Sequence, residues 1–186
     1  MLDFSQPLVL ASGSPRRAQL LTDAGFTFEV RRPDIDEAPL PGEAPTDYVA
    51  RLSAAKAIAV TGPGDIIIAA DTTVDLDGQI MEKPTDAADA ARMLSSLSGR
   101  SHQTHTGVTV IGSLGATTRV VTTSVSFVNL TDDMIEWYIG TGEPADKAGA
   151  YAIQGGAATF VERIDGSVSN VVGLPMAETL ELIRNA

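Results

Sequence analysis

The chain has 186 residues, 44% of them hydrophobic and 20% charged. That is the balance of one compact domain with room for a substantial core, and it excludes disordered, collagen-like and disulfide-scaffold proteins. Thirteen basic residues against 24 acidic ones give a formal charge of −11, so the surface as a whole repels nucleic acid and anionic membrane, and an anionic ligand needs a local basic pocket or a metal. There is no cysteine, which removes thiolate nucleophiles and Cys-based zinc sites and makes the cytoplasm the expected location. Met1 to Gln6 include Asp3 and no basic residue, and no apolar run approaches the ~18–20 residues of a membrane span. Neither export nor membrane insertion is therefore expected.

In chain order, residues 8–11 (LVLA) predict a short strand that hands over through Ser12-Gly13-Ser14-Pro15 to a helix. Ser14 suits its N-cap, Pro15 its first position and Gly25 its stop. A second helix is predicted over 45–60, capped by Thr46 and ended by Gly62; Lys56 lies in step with Val49, Leu52 and Ala59, on or beside the apolar stripe. Residues 65–71 (DIIIAAD) read as a strand buried on both faces that continues through TTVDL to an Asp77-Gly78 turn and returns through QIM. Residues 86–98 read as helix with Gly99 as stop, and 104–112 and 117–130 as a β-hairpin about SLGA. A helix over 132–139 leads into a Gly-rich stretch, 140–156. Strands near 158–164 and 167–172 flank Asp165-Gly166, and Pro175 opens a terminal helix. No repeat or linker interrupts residues 1–186, which read as a single domain. The mixture of crossovers and hairpins predicts an α/β fold around one mixed, twisted sheet flanked by helices.

Three places could carry chemistry. Ser12 to Arg17 brings backbone N–H groups, two hydroxyls and two guanidinium groups to one helix N-terminus, a geometry that binds phosphate; the alternative is a capped helix start with two solvated arginines. No P-loop or GxGxxG motif is present. Asp71 ends an apolar strand run and is either a metal ligand or general base or a turn-capping carboxylate. Glu37 is a possible second carboxylate and taken alone reads as a solvated loop charge. The third is the lysines: the chain holds ten arginines but only Lys56, Lys83 and Lys147; keeping lysine at 56 and 83 suggests that a compact ammonium is wanted there, as at a phosphate oxygen, whereas Lys147 is expected to act more through the local structure of its DKAGAY loop. His102 and His105 are three apart in a β-rich stretch and so face opposite ways, which argues against a zinc pair. No GxSxG elbow supports a serine hydrolase.

The segments LASGSPRR (10–17), DE (36–37), YVARLSAAKA (48–57), AADTTV (69–74), EKP (82–84), LSGRSHQTHTGV (97–108), EPADKAGAYAIQG (143–155) and VVGLP (171–175) together resemble, in collinear order, the Maf family of nucleoside triphosphate pyrophosphatases. The resemblance implies a two-lobed α/β structure with a central cleft, related to the inosine triphosphate pyrophosphatase fold. It implies cleavage between the α and β phosphates to a nucleoside monophosphate and pyrophosphate, with a divalent metal, Mg²⁺ or Mn²⁺. Asp71 matches the family's catalytic acidic residue and, with Glu37, its metal-associated carboxylates. Ser12, Ser14, Arg16, Lys56 and Lys83 match its phosphate-binding set, to which the helix-start reading adds Arg17. Arg16, Thr72 and Gln154 stand where the branch acting on dTTP and UTP differs from the one acting on 7-methyl-GTP, and all three read on the dTTP/UTP side; Ala152 stands where Gly is frequent. The expected partner is a nucleoside triphosphate, with a homodimer left open and neither nucleic acid nor membrane expected. The family is also associated with inhibition of septum formation, so a nucleotide-binding regulator in which turnover is incidental is a second reading. A nucleotidyltransferase is a third, disfavoured because no sugar-binding signature accompanies the loop.

Overall fold

A computed structural model describes residues 7–186; Met1 to Gln6, on which the expectation about export partly rests, lie outside the described residues. The chain forms β1 (Leu8–Ala11), α1 (Pro15–Asp23), β2 (Glu29–Val30), α2 (Pro45–Ala59), β3 (Ile66–Leu76), β4 (Gln79–Met81), α3 (Ala87–Leu97), β5 (Ser101–Gly112), β6 (Gly115–Phe127), α4 (Asp132–Gly140), β7 (Val161–Asp165), α5 (Val168–Val172) and α6 (Met176–Arg184). The sheet order is β2-β1-β3-β5-β6-β7, with β4 paired to the far half of β3. β1 runs parallel to β2 and β3, and every other pair is antiparallel. This is the expected mixed sheet. The β3–β4 turn is made by Asp77 (φ 57°) and Gly78 (φ 82°), the two positive φ values that match the twist of a two-residue hairpin.

Several local expectations need correction. Residues 168–172 are a helix, not a strand: Ser167 accepts a hydrogen bond from Asn170 N at 3.2 Å, and this cap turns a β-branched run too short to show a period. Residues 156–160 are a 3-10 turn ahead of β7. Thr46 does not cap α2; Ala44 holds the N-cap backbone position, Pro45 the first helical one, and Thr46 sits in the first turn. Ser14 stands at the N-cap of α1 without a side-chain cap bond, and its own N–H donates to Ser12 Oγ at 3.2 Å. The two-residue β2 has no sequence signal and exists because Val9 and Leu10 offer a parallel partner.

One face of the sheet carries two apolar clusters. The first joins Leu10, Ile68, Ala70 and Val108 to Leu21 of α1 and Leu182 and Ile183 of α6; the second joins Val74, Val125 and Phe127 to Leu94 of α3, Tyr138 of α4 and Phe160. β3 runs from one to the other, and residues 71–73 lie between them. The opposite face receives α2, with Ala57 packed among Val9, Ala11, Ile67 and Ala69. Its approach to β5 is close: a Cβ on Gly107 would come within 2.5 Å of the Val49 carbonyl carbon and 2.9 Å of Ala50 N, while Ser53 Oγ and Thr109 Oγ1 bond across the contact at 2.9 Å. Within the second cluster His102 is buried, its ring centroid 4.9 Å from Phe127 and 5.4 Å from Tyr151, with Nε2 2.8 Å from the Tyr151 hydroxyl. Among the described residues no helix is long and apolar enough to cross a membrane.

Two outcomes are expected. Gly107→Ala places a methyl group against helix backbone that cannot give way locally, so urea unfolding should show a loss of about 1–3 kcal/mol; an unchanged midpoint would mean that α2 does not need this approach. Burial pushes the His102 pKa from 6.5 down to about 4, so between these values the unfolded chain binds a proton that the folded one refuses, and stability falls as pH drops through that window. Urea unfolding at a series of pH values should show this slope in the wild type and a shallower one in His102→Gln.

Candidate active site

The site begins with a difference in strand length. β1 ends at Ala11, opposite Ala69, while β3 continues to Leu76. Asp71 is thus mid-strand and not at the carboxyl end of β3; the ligand-gathering edge is the end of β1. Alternation along β3 then sends Asp71 to the α2 face and Thr72 to the other.

On the α2 face the Lys56 ammonium donates to Asp71 Oδ1 at 2.6 Å and pairs with Glu37 Oε1 at 2.9 Å. Lys56 and Asp71 are each 6% exposed, and burying two charges is tolerable only because they are paired. Glu37 is exposed, and its backbone carbonyl accepts from the Tyr48 hydroxyl at 3.0 Å, which pins the 31–38 segment to α2. Desolvation raises the Tyr48 pKa, with Asp71 adding to the effect, so the phenol remains the donor.

On the other face Arg17 is a hub. Its guanidinium donates to the Gly173 carbonyl at 2.7 Å, to Thr72 Oγ1 at 3.0 Å and to Ser12 Oγ at 3.2 Å. Burial lowers its pKa from the ordinary guanidinium range, and the Asp71 charge acts against that shift. Thr72 Oγ1 also lies 2.9 Å from Thr106 Oγ1. Its hydroxyl is therefore engaged by neighbouring side chains, and Thr72, half-buried at the cleft lining, positions Arg17. Ser12 is buried, accepting from both Arg17 and Ser14 N, whereas Ser14 and Arg16 are half-exposed at the helix start.

These groups line a cleft of about 870 Å³, and Lys83, Lys147 and Gln154 line it with them. Every lysine of the chain thus faces one space. Lys147, expected to act through its loop, also reaches the cleft, where it pairs with Asp146. The loop is held close by Gly149, whose N–H donates to the Glu82 carbonyl at 3.1 Å and whose φ of 66° and 2.9 Å gap to Val74 leave no room for a side chain. Gln154 is exposed on the wall, and its amide bonds to no other described residue. The following turn is braced instead by Glu143, which accepts from Gly156 N at 2.9 Å. Arg32, Glu82, Asp146 and Tyr151 also line the cleft. Sequence reading passed over them, although Glu82, Asp146 and Tyr151 lie inside quoted motifs.

The acidic groups bear on a metal. Among the described residues no three His, Cys, Asp or Glu side chains are grouped to hold an ion by themselves. Asp71 and Glu37 do converge, on the Lys56 ammonium. Two carboxylates that line one cleft with the N-terminus of α1 suit a hard divalent cation that takes its remaining ligands from outside the protein, so the residues fit the expected Mg²⁺ or Mn²⁺ in that form.

The model of the family described as Maf-like protein matches residues 7–186. A protein named dTTP/UTP pyrophosphatase from Anaeromyxobacter dehalogenans (strain 2CP-1 / ATCC BAA-258) is 56% identical over 183 residues, 96% of this chain and 93% of its own length. One of the same name from Geobacter sulfurreducens (strain ATCC 51573 / DSM 12127 / PCA) is 52% identical over 95% of each chain. Among solved structures, that of a HAM1 protein from Coxiella burnetii matches 97% of this chain and 100% of its own at 14% identity, with a TM-score of 0.51, which bears on the fold alone and agrees with the expected one. A family match over every described residue, joined to relatives more than half identical along nearly their whole length, makes this chain a member of the Maf family.

Proposed function

We propose that this protein hydrolyses nucleoside triphosphates, dTTP and UTP ahead of purine nucleotides, to the nucleoside monophosphate and pyrophosphate. The names of its relatives support the reaction class, and one observation carries the chemistry: a buried ammonium 2.6 Å from Asp71 and 2.9 Å from Glu37, at the base of a cleft lined by further cations. In this reading Asp71 takes a proton from a water molecule, the water oxygen attacks the α-phosphorus, and the bond to the α–β bridging oxygen breaks. Pyrophosphate leaves with the bonding electrons. The N-terminus of α1, Arg16 and Lys83 offset the polyphosphate charge, and Arg17 keeps Ser12 and Thr72 in place beneath it. A divalent cation bound through Asp71 and Glu37 would further neutralise charge on the phosphates. A nucleotide substrate and a chain without cysteine support the cytoplasm as its place of action.

The triphosphate is common to all nucleotides, so choice among them rests on groups near the base. Gln154 is the leading reader, because an uncharged amide matches a pyrimidine's adjoining acceptor and N–H whereas a carboxylate only accepts. Arg16 acts beside it and Thr72 indirectly, through Arg17.

Asp71→Asn keeps the shape but removes the base, so kcat for dTTP should fall by about 10² to 10⁴ with the circular dichroism spectrum unchanged; a kcat near the wild-type value would remove Asp71 from the mechanism. Gln154→Glu should lower kcat/KM for dTTP and UTP by about tenfold or more while leaving purine triphosphates little changed, since one mismatched buried polar contact costs roughly that much. Equal losses on all substrates would reduce Gln154 to a wall residue.

A further inference from the structure

Six cations line the cleft, and three of them are spoken for: Arg17 by Gly173, Thr72 and Ser12, Lys56 by Asp71 and Glu37, and Lys147 by Asp146. Of the three left, Arg16 and Lys83 already have a place on the polyphosphate in the proposed function, and Arg32 has none. It is exposed, it lines the cleft, and among the described residues it has neither an ion pair nor a hydrogen bond. Its neighbour shows the contrast. The Arg31 guanidinium is bound by Glu29 at 2.9 Å, by Asp65 and by the Val60 carbonyl, and its backbone N–H extends the β1–β2 pairing by donating to the Leu10 carbonyl at 3.0 Å. One arginine of the pair thus anchors the strand while the next is turned into the cleft. There its side chain passes beside the helix-start loop, with Cδ 3.7 Å and Nε 3.8 Å from where a Cβ on Gly13 would stand. No carboxylate among the described residues pairs with it, although the chain carries 24 acidic residues.

An unpaired guanidinium beside like charges is unfavourable until an anion arrives, and a planar fork over a glycine loop suits a phosphate oxygen pair. We infer that Arg32 is a further substrate contact, one that binds the polyphosphate from the side of the Gly13 loop and does not touch the base. The identification of the ligand as the polyphosphate of a nucleotide rests on the proposed function above.

The test uses inorganic pyrophosphate, the product fragment that lacks both sugar and base. Calorimetric titration in magnesium-containing buffer should show a Kd weakened about 5- to 30-fold in Arg32→Ala, as for loss of one charge-assisted hydrogen bond, with dTMP affinity unchanged. Arg163→Ala, which removes an exposed cation that does not line the cleft, controls for the general field and should stay within twofold of the wild type. KM for dTTP and UTP should rise together in Arg32→Ala. A pyrophosphate Kd unchanged by Arg32→Ala, a loss no greater than that of Arg163→Ala, or a wild type that does not bind pyrophosphate would each overturn the assignment. A wild type that binds pyrophosphate in an Arg32-dependent way yet does not hydrolyse dTTP would overturn the proposed reaction and leave the Arg32 contact standing.

Discussion

The ammonium of Lys56 is the interaction on which the rest of the site depends. A lysine this deeply buried is costly unless its charge is matched, and here the match comes from three parts of the chain: α2 brings the ammonium, β3 brings Asp71, and the loop before α2 brings Glu37. Removing Lys56 would leave the buried Asp71 carboxylate facing protein instead of its counterpart. The close seating of α2 on β5 at Gly107 follows from this requirement. Gly107 lies directly across from Asp71 in the β3–β5 register, so the absence of a side chain there lets the helix settle beside the very carboxylate that Lys56 must reach.

The two faces of β3 divide the labour. Asp71 points toward α2 and the charged cluster, while Thr72, one residue on, points toward Arg17 and the turn at Gly173. The charged cluster and the group that supports Arg17 are thus held by the same strand at adjacent positions and kept apart by the sheet itself. Arg17 ties the start of α1 to the end of α5 through the Gly173 carbonyl. The helix start is therefore fixed by contacts to remote backbone, and not by the Ser14 cap that its sequence suggests.

An acidic protein that handles an anionic substrate has to concentrate its few cations. With a formal charge of −11, the long-range field discourages polyanions in general, and the gathering of all three lysines and three of the arginines about one cleft reverses that field locally. Long nucleic acids would meet the net charge outside the cleft, whereas a mononucleotide small enough to enter meets the cations.

Much of this was legible in the sequence by itself. The LVLA and IIIAA runs, the Asp77-Gly78 turn and the helix start at Pro15 depend on local propensity and short-range turn geometry, and the structure contains them within a residue or two. The rarity of lysine marked Lys56 and Lys83 as unusual, and the collinear motifs led to the family. What only the tertiary structure decided is how separated segments meet. That β3 outruns β1, that Thr72 faces inward to Arg17, and that Arg32 turns into the cleft while Arg31 turns away all depend on partners far off in the chain. Side-chain direction in a sheet follows from register, and register is set by which strands pair; a strand's own residues specify its alternation but not which neighbour each face will meet.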